Sequence, residues 1–169
     1  DSAGGSRLKA DLAGNLAPLF LPDYTEFLGT RLEVALDANR AASGALTVDR
    51  FHIKAQSLSV DGHAMIAADG LPESISLAGV VASPDGEPLL LPFGGLPTRI
   101  DRAEFEIDTA QDQGLAWMTK AVIAGLDRPD LAAETLSLSG SGRIERDATG
   151  NSFDGTFGYS ATGLAPADP

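Results

Sequence analysis

Few side chains in this sequence could do chemistry, and their spacing argues against most of it. The two histidines, His52 and His63, are the first candidates for metal binding or proton transfer. A zinc site needs three or four converging donors, and the chain has no cysteine to add to them. Each histidine falls opposite the apolar positions of its own stretch, which points it at solvent. The 24 acidic residues gather in turns and on polar faces. None follows the fixed odd spacing, ending in Glu, that a calcium loop requires. Ser139-Gly140-Ser141-Gly142 has the small residues of a nucleophile elbow, but Ser137 and Ser139 stand where G-x-S-x-G needs glycine. The run also sits inside an alternating pattern, not at a strand-to-helix turn. Gly94-Gly95 lies between prolines instead of at the strand–helix junction that cradles a phosphate. The reading is a non-enzymatic chain with no catalytic residue, no metal and no cofactor.

The elements that carry these residues are strands. LSVDGHAMI (58–66) puts Leu58, Val60, Gly62, Ala64 and Ile66 on one side, and Ser59, Asp61, His63 and Met65 on the other. Side chains of period two belong to a strand. The stretch returns as LSLSGSGRI (136–144), and the likeness extends to AQS (55–57) against AET (133–135). Such self-similarity predicts two rounds of a multi-strand unit, about residues 30–86 and 99–162. The same alternation marks strands over 7–14, 31–38, 46–55, 74–82, 100–109 and 132–146, and a last one carrying Phe153, Gly155, Phe157 and Tyr159 on one face. Over 115–126 the alternation is blurred and a helix is the alternative; Gly125 and Asp127-Arg128-Pro129 end the stretch where a meander needs a turn, which favours a strand. Within 46–55 the apolar phase slips by one residue, which predicts a bulge at Asp49-Arg50.

Two stretches depart from the meander. Leu16, Leu19, Phe20, Tyr24, Phe27 and Leu28 form one helical stripe, interrupted at Pro22. A short turn near Pro18 is expected, then a helix from Asp23, with Glu26 completing a capping box and Gly29 closing the C-terminus. Such a helix packs on a sheet, or plugs the end of an apolar groove. Leu89-Leu90-Leu91 is bounded by Pro88 and Pro92 and reads as a crossover or edge segment between the two rounds. Residues 1–6 read as a polar edge, 7–162 as one β-rich segment of a longer array, and 163–169 as a small, proline-rich tail that frays.

Composition narrows the function. Glycine is abundant at 19 residues and aromatics make up only 6%, a profile of strands and turns. A net charge of −12 repels phosphates, so nucleic acid and anionic membrane surfaces are poor partners. No apolar run approaches the roughly 18 residues of a membrane span. No signal peptide is visible, and any targeting segment is expected outside this sequence. What remains is the oily side of the sheet. It must fold over itself, take a second sheet, or hold an apolar ligand. Gly62, Ala64, Gly79, Gly140 and Gly142 on that side leave gaps in a sandwich unless large residues fill them, or make room for a guest in a groove. They also let a sheet curl strongly.

LAPLFLPDYTEFLG (16–29), LTVDRFHIKAQSLSVDGHAMIAADG (46–70) and RPDLAAETLSLSGSGRI (128–144) resemble the middle region of TamB-type translocation and assembly proteins, in the AsmA-like group. The resemblance covers most of the chain. It implies an all-β fold, a long antiparallel meander curled into a U-shaped, taco-like groove with an apolar interior and one short helix. It implies a periplasmic position in a Gram-negative cell, with an inner-membrane anchor outside this segment. The implied partners are phospholipid acyl chains, or strands of unfolded outer-membrane proteins, and an Omp85-type outer-membrane barrel protein. By position, Leu58, Val60, Ile66, Ile75, Leu77, Val81, Phe105, Ile107, Leu136, Leu138, Ile144, Phe153 and Phe157 would line the groove. The helix and the proline-bounded run interrupt a uniform conduit. The alternative reading is a structural β-sandwich spacer or adhesin-like repeat module with a dry core.

Overall fold

Alternating side chains along the chain become one continuous antiparallel sheet in the computed structural model, which describes residues 4–15, 23–92, 95–110, 115–147 and 150–166. The long strands are β1 (Ser6–Gly14), β2 (Leu32–Arg40), β3 (Leu46–Lys54), β4 (Leu58–Ile66) and β5 (Pro72–Ala82). After the short β6 (Leu89–Leu90) and β7 (Arg99–Ile100) come β8 (Arg102–Ala110), β9 (Leu115–Arg128), β10 (Leu131–Asp147) and β11 (Gly150–Thr162). β12 (Ala165–Pro166) ends the described chain, and the helix α1 spans Asp23–Leu28. Among the described residues the twelve strands form a single sheet, in the order β1-β2-β3-β4-β5-β8-β9-β10-β11. The sheet stays open instead of closing into a barrel, and it curls about its apolar side. Strand twist supplies the curvature.

The bulge falls where the phase slip predicts it. Asp37 pairs with Arg50 and Ala38 with Val48, which leaves Asp49 as the extra residue. On the other side of β3, Val48 pairs with Ala64 and Phe51 with Gly62. The bulge returns Phe51 and Ile53 to the face that Leu46 and Val48 occupy. The uncertain stretch at 115–126 is a strand, part of β9. The two self-similar stretches, in β4 and β10, run in the same direction and present the same face.

Both departures from the meander gather at one end of the sheet. α1 ends at Gly29, whose φ of 69° is the left-handed conformation that closes a helix. Its last carbonyls accept backbone N–H groups from the β3–β4 loop: Gln56 donates to Leu28 at 3.0 Å and Ser57 to Phe27 at 3.2 Å. Phe27 is buried there. The expected turn near Pro18 and the side chains of the Asp23–Glu26 capping box lie outside the described residues.

The proline-bounded run takes the edge form of the two expected, and pairs with one neighbour. Leu89 pairs with Ile100 and Leu90 with Arg99, so β6 and β7 make a small hairpin, and Arg99 pairs on to Asp127 of β9. Hydrophobic burial holds the hairpin in place. Ile100, 1% exposed, packs with Leu126 and Ala133, and Val81, Leu91, Ala103, Ile123 and Leu136 close around them. Val81, Ala103, Ile123 and Leu136 are one register row across β5, β8, β9 and β10. The hairpin therefore covers the last row of the apolar face. The tail is corrected in part: Ala165 and Pro166 do not fray but pair with Ala132 and Leu131.

Candidate functional site

The candidate site is the apolar side of the sheet, and register builds it. Directly opposed residues in an antiparallel pair share a face. From Leu77 the row runs through Gly62 and Phe51 to Leu36 and Ala10 on one side. On the other side it runs through Ile107 and Thr119 to Gly140 and Phe157. The rows above and below hold Val60, Gly79, Phe105, Ala121, Leu138 and Tyr159, and Ala64, Ile75, Thr109, Trp117, Gly142 and Gly155. Every residue expected to line a groove falls on this one face. Phe153 does so by register opposite Ile144, and its side chain lies outside the described residues.

All twelve strands belong to this sheet, so among the described residues no second sheet faces it. Cover is uneven. Val60 is buried, while Leu58, Ile66, Ile75, Leu77, Val81, Phe105, Leu136 and Ile144 are half-buried. Ile107 is 39% exposed and Leu138 42%, and toward the β11 margin Phe157 reaches 72% and Tyr159 84%. Exposure is greatest toward the β11 margin.

The glycines do not leave empty notches, and this corrects the expectation of a low floor made for a guest. The Phe105 ring lies over Gly79, Phe157 and Thr119 crowd Gly140, and Leu77 crowds Gly62. Trp117 lies over both Gly142 and Gly155. A side chain larger than hydrogen would meet a neighbour's ring at Gly79, Gly140 and Gly155, the Ser76 carbonyl and Leu77 at Gly62, and the Asp154 carbonyl at Gly142. The glycines let large neighbours in the same sheet lie flat. The result is a levelled apolar surface in which Trp117 and Phe157 stack at 5.3 Å between ring centroids, tilted by 34°. Trp117 is the residue that sequence reasoning missed. Its alternation is blurred by Met118, Val122 and Ala124 on the opposite side, and only pairing with Gly142 assigns its face.

The opposite side of the sheet is polar. His52 and Asp61 face each other across β3 and β4, with Nδ1 2.6 Å from Oδ1, and His63 stands exposed on the same side. Among the described residues no three His, Asp or Glu side chains gather to hold a metal. Ser139 and Ser141 lie mid-strand on this side, with Lys120, Met118 and Thr156 lining an open furrow beside them. Arg7 grips Asp37 through Nε at 3.0 Å and Nη2 at 2.6 Å. That hydrogen bond, helped by the guanidinium charge, holds the Asp37 carboxyl below its ordinary range. Arg31 does the same to Glu33 at 2.7 Å, again through the hydrogen bond first and charge second. This side carries the charge pairs; the apolar side is the surface that could hold a guest. No known protein family, curated protein or solved structure matches this chain.

Proposed function

We propose that this chain is a non-enzymatic, groove-forming segment of a periplasmic protein that shelters phospholipid acyl chains against its apolar sheet face and so supports outer-membrane assembly. One observation supports the reading: a curled single sheet presents apolar side chains in register across nine strands, and among the described residues no second sheet packs on them. A hydrocarbon guest would complete the burial that the fold leaves unfinished. The thickness of one leaflet's hydrocarbon, about 15 Å, corresponds to about three inter-strand spacings of about 4.8 Å. An acyl chain laid across the strands would touch four of them. Ten methylenes half removed from water contribute about 4 kcal/mol, which is weak enough for release and sliding. Strands of unfolded outer-membrane proteins offer the same apolar alternation and are the second guest of this reading. The resemblance to TamB-type proteins adds the setting: an inner-membrane anchor outside this segment and an Omp85-type barrel as partner.

Trp117 is the only tryptophan and sits on the proposed surface. Phospholipids brominated along the acyl chain should therefore quench its fluorescence, and unbrominated ones should not. Leu138→Arg should reduce the quenching several-fold without altering the fold. Absence of quenching in the wild-type protein sinks the proposal. The alternative, a spacer module with a dry core, draws on the cluster around Ile100. If the whole apolar face served as such a core, Leu138→Arg would unfold the chain.

A further inference from the structure

Along β2 the oily side of the sheet ends in a charge. Leu32, Val34, Leu36 and Ala38 alternate onto the apolar face, and the next position on that face is Arg40. Register gives it the same side: Arg40 pairs with Leu46, Leu46 with Ile66 and Ile66 with Pro72, while Ser6 faces it from β1. No carboxylate stands in that row. Asp37 and Asp49, the carboxylates nearest along β2 and β3, are engaged by Arg7 and Asn39. Arg40 is exposed, and among the described residues it makes no ion pair. Arg50 and Arg99 share this property but not the position. Arg50 stands opposite Asp37 on the polar side, and Arg99 alternates with the buried Ile100. Arg128, at the capped end, is tied to Asp130.

We propose that Arg40 is the headgroup contact of the groove: it holds the phosphate of a phospholipid whose acyl chains lie on the apolar rows beside it. The inference rests on the acyl-binding reading above and adds what that reading lacks, a reason to prefer a phosphate-bearing amphiphile over a neutral one. A guanidinium is charged at every working pH, and its planar fork matches the oxygens of a phosphate. An arginine also suits a border, because its stem covers apolar surface while its head stays in water. From Arg40, a chain laid across the strands meets Val48, Ala64 and Ile75 of the neighbouring row, and so spans β2 to β5. The net charge of −12 does not forbid the contact. At physiological salt, exposed charges more than about 8 Å away are largely screened, and the row around Arg40 holds no anion of its own.

Calorimetric titration tests it with three probes: dioctanoyl phosphatidylglycerol, dioctanoylglycerol and inorganic phosphate. The wild-type protein should bind the phospholipid several-fold more tightly than the phosphate-free lipid, and added salt should shrink that difference. Arg40→Gln, a change at an exposed position, should abolish the difference and leave the affinity for dioctanoylglycerol unchanged. Arg50→Gln, on the polar side, is the control and should keep the preference. Equal affinity of the wild type for the two lipids overturns the proposal, as does a preference that survives Arg40→Gln or that Arg50→Gln also removes. Inorganic phosphate bound as tightly as the phospholipid would make Arg40 a free-phosphate site and overturn the lipid assignment. Binding of neither lipid would instead sink the acyl-binding reading itself, and this inference with it.

Discussion

Ile100 and Leu138 are both aliphatic, yet one is 1% exposed and the other 42%, and substitutions should separate them sharply. Ile100→Ala removes a fully enclosed side chain and should cost about 2–5 kcal/mol in urea unfolding. Leu138→Arg places its charge at an open position and should change stability by about 0.5 kcal/mol, with the loss confined to guest binding. Similar losses at both sites would mean the apolar face is a closed core. The glycines divide on the same principle. Gly79→Ala meets the tip of Phe105, a ring that can rotate away, whereas Gly142→Ala meets the Asp154 carbonyl and forces β10 from β11. Gly142→Ala should cost about 1–3 kcal/mol and Gly79→Ala less, read from the shift in denaturant midpoint. At this scale alternation made the apolar face legible, because period two assigns a face without knowledge of neighbours. It could not show that Phe105, Trp117 and Phe157 fill the glycine positions, because those contacts lie between strands distant in sequence.

At the scale of elements, local signals were legible and long-range docking was not. The bulge at Asp49 is written in the phase of its own strand, and α1 in Asp23 and Gly29, which bound it. The β6–β7 hairpin was hidden because its stability comes from Leu126, Ala133 and Val81, far along the chain. β1 responds to pH through its tie to Asp37 of β2. The Arg7 hydrogen bond keeps the Asp37 carboxyl ionised below its ordinary range, so the folded protein binds that proton less readily than the unfolded chain. The contribution is then fully present above the ordinary carboxylate pKa of about 4. It is lost as pH falls through the depressed value. The pair is solvated, so the midpoint of global unfolding should barely respond. Protection factors of β1 amides should fall below about pH 4 relative to those of β4. Asp37→Asn should lower β1 protection at neutral pH and abolish the acid step. Persistence of that step in Asp37→Asn would assign it to another carboxylate.

The whole molecule was legible as a class, an open meander with an oily side, because composition and repeated alternation both specify it. Where its cohesion concentrates was not, and this governs how it opens. A single layer has no central core shared by all its strands. Burial is instead greatest where the hairpin and the register row of Val81, Ala103, Ile123 and Leu136 meet. α1 docks at that same end through the β3–β4 loop, and Ser57 joins β5 there by accepting the Ala82 N–H at 3.1 Å. At the far ends of the strands, turns such as those in which Gly44 donates to Ala41 and Gly70 to Ala67 join neighbouring strands. Local opening free energies should follow this gradient, since they track buried apolar contact. Native-state exchange should find the slowest amides at 100, 123 and 126. Protection should fall along β8 and β9 toward the far turns, and outward across the strands to β1. With an apolar guest bound, the strands it lies across should gain protection, because a ligand stabilises what it contacts in the folded state. A single exchange free energy shared by all nine strands of the path would instead require a cooperative core spanning the sheet. The apolar face would then already be filled by its own chain, with no surface left for a hydrocarbon to cover.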